Sequence, residues 1–208
     1  MSDYTNPNFP GWRLPPVEQK DLTPEQTEAF KAGLRPEHVG NYFPAEQRTV
    51  PWPLGVATML HNPKLALRWL TFSKTLMYEG TITPRQREIM VLRLGWRTRS
   101  EYEWIQHCRL AYRWEISYDE IVAISEGKYD DFPPVEQDLL VATDELLDAY
   151  KISDETWQRL AAEFEPEQLE EIAFVVGSYT ALAMLFGVHG AKIEPEWADT
   201  PAPAFPEE

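Results

Sequence analysis

Proline placement constrains this chain more than any other feature. Ten of its 18 prolines lie in residues 1–63, only Pro84 falls between 64 and 132, and Pro201, Pro203 and Pro206 crowd the last eight residues. Inside a helix a proline removes a backbone donor and clashes with the preceding turn. The middle of the chain is therefore free to be continuously helical, while both ends are more extended. Other prolines mark helix starts. Thr23-Pro-Glu-Gln26 and Thr83-Pro-Arg-Gln86 each set a capping Thr before a first-turn proline, with Gln at the third helical position to close a capping box. Ser117-Tyr-Asp-Glu120 is a third box, and Ser153 and Pro166 precede acidic first turns that suit the helix dipole. These signals predict helices near 24–32, 55–60, 63–79, 84–97, 100–115, 118–126, 134–149, 154–164 and 167–188. No segment alternates with a period of two between turns, so the expected class is all-α.

With 208 residues, 43% of them apolar, the chain is long enough for one sizeable core. We expect residues 1–50 to form an N-terminal arm with a first helix, the arm proper being residues 1–20. Residues 51–194 form a helical domain and 195–208 a flexible, frayed tail. The apolar run from Ile172 to Val188 is interrupted by Gly177, Ser178, Tyr179 and Thr180, which predicts a buried core helix rather than a membrane span. A formal net charge of -15 repels nucleic acid and anionic membranes. Cys108 is the single cysteine, so an intrachain disulfide and a Cys-rich metal site are excluded, and a reducing cytoplasm is the expected compartment. The N-terminus has neither the basic nor the apolar stretch of a signal peptide.

The segment Ser100–Trp114 concentrates the chemistry. On a helix, Ser100, Glu103, His107, Leu110, Ala111 and Trp114 share one face. Polar groups at one end of an apolar stripe need partners once buried, since an unpaired polar atom costs about 1–3 kcal/mol. Glu103 and His107, at i and i+4, are spaced to pair with each other. The preceding segment sets Glu88 on the stripe with Val91, Leu92 and Gly95. The short link Thr98-Arg99 folds the two helices antiparallel, bringing Glu88 toward His107. Two carboxylates around an imidazole hold one tautomer and supply a proton relay near neutral pH. The same spacing also suits a satisfied polar pair in a helix bundle, so geometry of this kind leaves catalysis and packing both open.

Other candidates are weaker. Arg85, Arg87, Arg93, Arg97 and Arg99 put five positive charges within fifteen residues. They read as a solvated face paired with neighbouring acids, or as a clamp for a carboxylate substrate, with Arg97 and Ser100 the expected substrate contacts. Cys108 adjoins His107, but neighbours on a helix point about 100° apart, so it reads as a bystander. His189 suits a helix C-terminus as a capping or interface residue. His38 and His61 lack ligand spacing, so no metal site is expected. Asp138, Asp144, Glu145 and Asp148 read as the wet face of a helix.

Arg87-Glu88, Tyr102-Glu-Trp-x-x-His107, Ala111 and Asp119-Glu-Ile121 resemble carboxymuconolactone decarboxylase-like proteins, in the superfamily that also holds the alkylhydroperoxidase AhpD. The peroxidase branch places Glu, eleven residues, Cys, two residues, Cys, three residues, His. Counted from Glu88, its two Cys positions fall on Ser100 and Glu103 and its His on His107. The frame is kept and the redox pair is absent, as in the decarboxylase branch. The resemblance extends over about residues 57–193. It implies an AhpD-like helical bundle, forming one domain with an extended N-terminal arm and assembled as a homotrimer or homohexamer. It also implies a cofactor-independent acid/base reaction on a small lactone or carbonyl carboxylate, with Glu88 and His107 as catalytic residues, and the shared helix face adds Glu103 to them. The competing expectations are an alkylhydroperoxidase-like redox protein and a non-catalytic helical oligomer.

Overall fold

Three reciprocal capping boxes set where helices begin, and all three form in the computed structural model, which describes residues 6–206. At each, a Thr or Ser oxygen accepts from the third helical amide while the Gln or Glu at that position accepts from the cap's own N–H. Among the described residues nine α-helices follow in order: α1 Pro24–Ala32, α2 Leu54–Met59, α3 Pro63–Tyr78, α4 Pro84–Arg97, α5 Glu101–Ala111, α6 Tyr118–Glu126, α7 Pro134–Ala149, α8 Asp154–Glu163 and α9 Pro166–His189. The described residues contain no strand, so the all-α expectation holds. Helix α5 is shorter than expected, because a 3-10 turn over Tyr112–Trp114 and a left-handed Glu115 (φ 58°) end it early. Trp114, predicted on the buried stripe, is exposed as a result.

The helices gather into two compact units. One takes the described residues through Glu79 together with Phe186–Glu196. In it Phe30 stacks on Trp52, ring centroids 4.5 Å apart, over Ala29, Ala57, Leu60, Ala66 and Leu70. Because α1 packs on α3, residues 6–50 and 51–79 share one compact unit. The N-terminal arm is tied down within this unit. Arg13 and Leu14 donate their N–H to the His189 carbonyl, the Val17 N–H meets the Ala57 carbonyl, and His61 Nε2 lies 2.7 Å from the Pro15 carbonyl. Residues 1–5 of the expected arm lie outside the described residues.

The second unit takes Gly80–Leu185 with the described residues from Trp197. Its axis is α4, in which every residue from Arg87 to Gly95 is buried, among them Ile89, Met90, Leu92 and Leu94. Helices α5, α6 and α7 pack around it and α8 packs on α7. The arginines of α4 turn to acids as one of the two expectations had it. Arg85 grips Glu136 through two bonds of 2.8 and 3.0 Å and also meets Glu120, while Arg93 and Arg97 share Asp144. The acids of α7 are therefore not only a wet face, although Asp148 stays largely exposed. Asp138 pairs with Arg159, Asp144 and Asp148 hold arginines, and Glu145 accepts from Ser153. The tail is not frayed either. Trp104 donates to the Pro203 carbonyl, Tyr112 to that of Pro201, and Phe205 stacks on Trp96 at 4.8 Å. Aromatic side chains of α4, α5 and the turn after it, with the open carbonyls of an extended proline-rich segment, supply docking contacts that composition alone did not show. Residues 207–208 of that tail lie outside the described residues.

Helix α9 is the one described helix long and apolar enough to cross a membrane, with a mean hydropathy of 1.7 over its apolar window. Ile172, Val175, Val176 and Tyr179 are buried, and Glu171 accepts from the N–H groups of Thr81 and Ile82 and from the Thr81 hydroxyl. These contacts make it a core helix, with an apolar outer side that includes Met184 at 67% exposure.

Candidate functional site

The site arises at the reversal between α4 and α5, inside the second unit. Arg99 adopts a left-handed conformation (φ 53°), and the Ser100 N–H meets the Gly95 carbonyl at 3.0 Å. That turn folds α5 back along α4. Close approach depends on Gly95, since a Cβ there would meet the Trp104 backbone at 3.4 Å. The reversal carries Glu88, in the second turn of α4, to His107, at the end of the second turn of α5. His107 Nδ1 and Glu88 Oε2 are 2.7 Å apart, and both side chains are buried. The other Glu88 oxygen lies 3.8 Å from Arg87 Nε. Tyr179 of α9 sets its ring edge to face with the imidazole, centroids 5.1 Å apart at 84°. With Nδ1–H donating to Glu88, the Nε2 lone pair is free to take a proton and return it.

Glu103 is buried as deeply, at 2% exposure, yet neither carboxyl oxygen has a hydrogen-bond partner. The expected Glu103–His107 pair does not form. Although the two are one turn apart on α5, the imidazole nitrogen that a carboxylate would bind is held by Glu88. Burial pushes Glu103 up to about 8 from an ordinary 4.5. The Ser100 hydroxyl is near enough to oppose that rise by hydrogen bonding, although neither side chain has a partner at full hydrogen-bond geometry. Ser100 Oγ is itself buried and unpartnered, and it does not cap α5. Two of the residues predicted to touch substrate thus behave differently. Ser100 shares the first turn of α5 with Glu103. Arg97 is elsewhere, on the wall of a cleft of about 470 Å³ with Leu146, Tyr150 and Gly177, its guanidinium held by Asp144 and Asp148. Two carboxylates thus occupy its fork and make it a helix-to-helix tie on the wall of that cleft.

Cys108 is fully buried, and burial pushes its thiol well above the ordinary range. Both features suit the bystander expectation and oppose a reactive thiolate. His189 is also buried, with Nδ1 unpartnered, and burial followed by nearby His61 lowers its affinity for a proton. Among the described residues no three His, Cys, Asp or Glu side chains are grouped to hold a metal ion. Sequence reasoning missed Arg87 beside Glu88 and Tyr179 against His107. The second had a signal, because a tyrosine inside an apolar helical run needs a polar or aromatic neighbour when buried.

Solved structures share the helical fold that carries this hairpin. The chain is similar to an uncharacterised peroxidase-related protein from Ralstonia eutropha JMP134, described as an alkylhydroperoxidase AhpD core. The TM-score is 0.71 at 17% identity, over 91% of this chain and 95% of that one. It is also similar to the debrominase Bmp8, with a TM-score of 0.69 at 19% identity over 90% and 95% of the two chains. A third similar structure is an Agrobacterium tumefaciens protein of unknown function, a putative antioxidant defence protein AhpD, at 0.59 and 14% identity over 64% and 93%. Residues 63–144, which hold the whole Glu88–His107 hairpin, match the model of the carboxymuconolactone decarboxylase family. No curated protein matches the chain.

Proposed function

We propose that this protein is a cofactor-independent acid/base enzyme acting on a small lactone or carbonyl carboxylate, with decarboxylation of a carboxylated lactone as its leading reaction. The observation that carries the reading is the buried contact of 2.7 Å between His107 and Glu88, at the two positions the family frame keeps. The substrate's own conjugated carbonyl serves as the electron sink. When the bond to the carboxylate breaks, CO2 leaves and the electron pair passes into the carbonyl as an enolate. Protonated His107 then delivers one proton to carbon and is reprotonated from water, so that one proton is consumed per CO2 released. Glu88 holds the Nδ1–H tautomer and offsets the charge of the imidazolium. The thiol-dependent alternative has little support, since Ser100 and Glu103 stand at the redox positions and Cys108 is buried.

We further propose a homotrimer or homohexamer in the cytoplasm, with no nucleic acid or membrane as partner. The outer side of α9, with Met184, and Tyr150, at 87% exposure, leave apolar surface that assembly would cover. Incubating the protein with a panel of lactones and small keto acids from aromatic degradation, and reading CO2 release, tests the activity. Turnover of one carboxylated lactone is the expected result. Thiol-dependent peroxide reduction with no carbonyl substrate turned over would overturn the proposal. A sedimentation mass near 24.1 kDa would overturn the assembly.

A further inference from the structure

We propose that Ser100 and Glu103 form a two-donor seat for the single substrate oxygen on which negative charge collects, which makes the ligand class a conjugated carbonyl compound able to enolise. This rests on the acid/base reading of His107 and extends it to how the substrate is held. Three buried atoms carry it: Ser100 Oγ, Glu103 Oε1 and Glu103 Oε2 all lack partners. Polar atoms so placed are costly unless something pairs with them. Ser100 stands at the N-cap of α5, where a serine oxygen ordinarily accepts from an amide of the first turn, and here it does not. Its hydroxyl is left to donate elsewhere. Glu103 is one turn N-terminal to His107 on the same face, and α4 backs that turn closely at Gly95.

A carboxyl kept neutral by a dry site is a hydrogen-bond donor rather than an acceptor pair. Burial puts Glu103 in that state at neutral pH. An enolate oxygen seated between the Glu103 O–H and the Ser100 O–H would satisfy both side chains, with the positive end of the α5 dipole behind it. Residues at i and i+4 are about 5–6 Å apart at Cβ, so His107 is placed to reach a carbon a few bonds from that oxygen. In the step itself the electron pair of the breaking carbon–carboxylate bond moves onto the seated oxygen, CO2 departs, and His107 returns a proton to carbon. Glu103 and Ser100 keep their protons throughout.

The test uses the full chain and substituted nitrophenols, whose bound phenolate absorbs apart from the phenol, with folding followed by circular dichroism. Wild type binds the phenolate form. Glu103→Leu weakens that binding about 10–100-fold, Ser100→Ala less, and Glu103→Gln, which keeps an N–H donor, stays within about tenfold of wild type. His107→Ala leaves phenolate affinity within a few-fold while abolishing turnover. A folded Glu103→Leu protein that binds the phenolate as tightly as wild type overturns the seat, as does a wild type that binds none. Turnover surviving in His107→Ala sinks the acid/base reading instead, and the two failures are told apart.

Discussion

Two buried glutamates, one in the wall of α4 and one in the first turn of α5, meet opposite fates. Glu88 and Glu103 are 3% and 2% exposed. Glu88 has an imidazole nitrogen at 2.7 Å and an arginine nitrogen at 3.8 Å, whereas neither oxygen of Glu103 has a partner and the group is pushed up to about 8. Depth is the same and residue type is the same, so what differs is which face of the hairpin each enters. Glu88 lies across the reversal at Arg99, facing α5, while Glu103 rides on the helix that also carries His107. The difference teaches that position on a helical hairpin decides which of two equally buried carboxyls finds a partner.

Breaking the paired carboxyl has the largest expected effect. His107→Ala loses about 10²–10⁴ in turnover, the usual worth of general acid/base catalysis, and Glu88→Gln reproduces much of that loss. Circular dichroism and sedimentation alongside the rate show both variants folded and assembled. Should they unfold instead, the pair is a packing device.

The unpaired carboxyl is expected to show itself in stability. Its folded value of about 8 lies above the ordinary 4.5, so below pH 4.5 both states hold the proton and nothing is lost. Between 4.5 and 8 the unfolded chain releases a proton that the folded chain keeps, so Glu103 reduces stability progressively as pH rises through that window. Glu103→Gln removes this slope and gains on the order of 1–3 kcal/mol relative to wild type at the alkaline end. Urea unfolding at several pH values measures it, and parallel stability curves for the two proteins would contradict a neutral Glu103.

Two smaller effects sharpen the comparison by marking what lies outside it. Arg97→Ala is expected to cost about 0.5–1 kcal/mol through its partly exposed ties to Asp144 and Asp148. KM should stay unchanged, whereas a tenfold rise would restore Arg97 as a substrate contact. Cys108→Ala leaves turnover within about threefold and costs roughly 1 kcal/mol for the small cavity. Abolished turnover in a folded Cys108→Ala protein would revive a thiol mechanism.

How legible all this was depends on the range of the interaction. Capping boxes are local, and helices α1, α4, α6 and α7 begin and end where Thr23, Thr83, Ser117 and the proline before α7 predict. The Glu88–His107 pair was legible because a two-residue link leaves an antiparallel hairpin little choice. The Glu103–His107 pair failed because i to i+4 spacing permits a contact without deciding which of two carboxyls takes the single available nitrogen. The ties of Arg97 and of the tail were not legible for a related reason. Their partners, Asp144 and Asp148 for Arg97 and Trp104 for Pro203, lie 47 to 99 residues away, and no local pattern names them.

Long-range proton–nitrogen NMR on protein labelled in its histidines tests most directly whether Glu88, and not Glu103, holds His107. The His107 signals are assigned by their absence in His107→Gln. The account predicts a fixed Nδ1–H tautomer in wild type and in Glu103→Gln, lost in Glu88→Gln. A tautomer that survives Glu88→Gln and disappears in Glu103→Gln would contradict it.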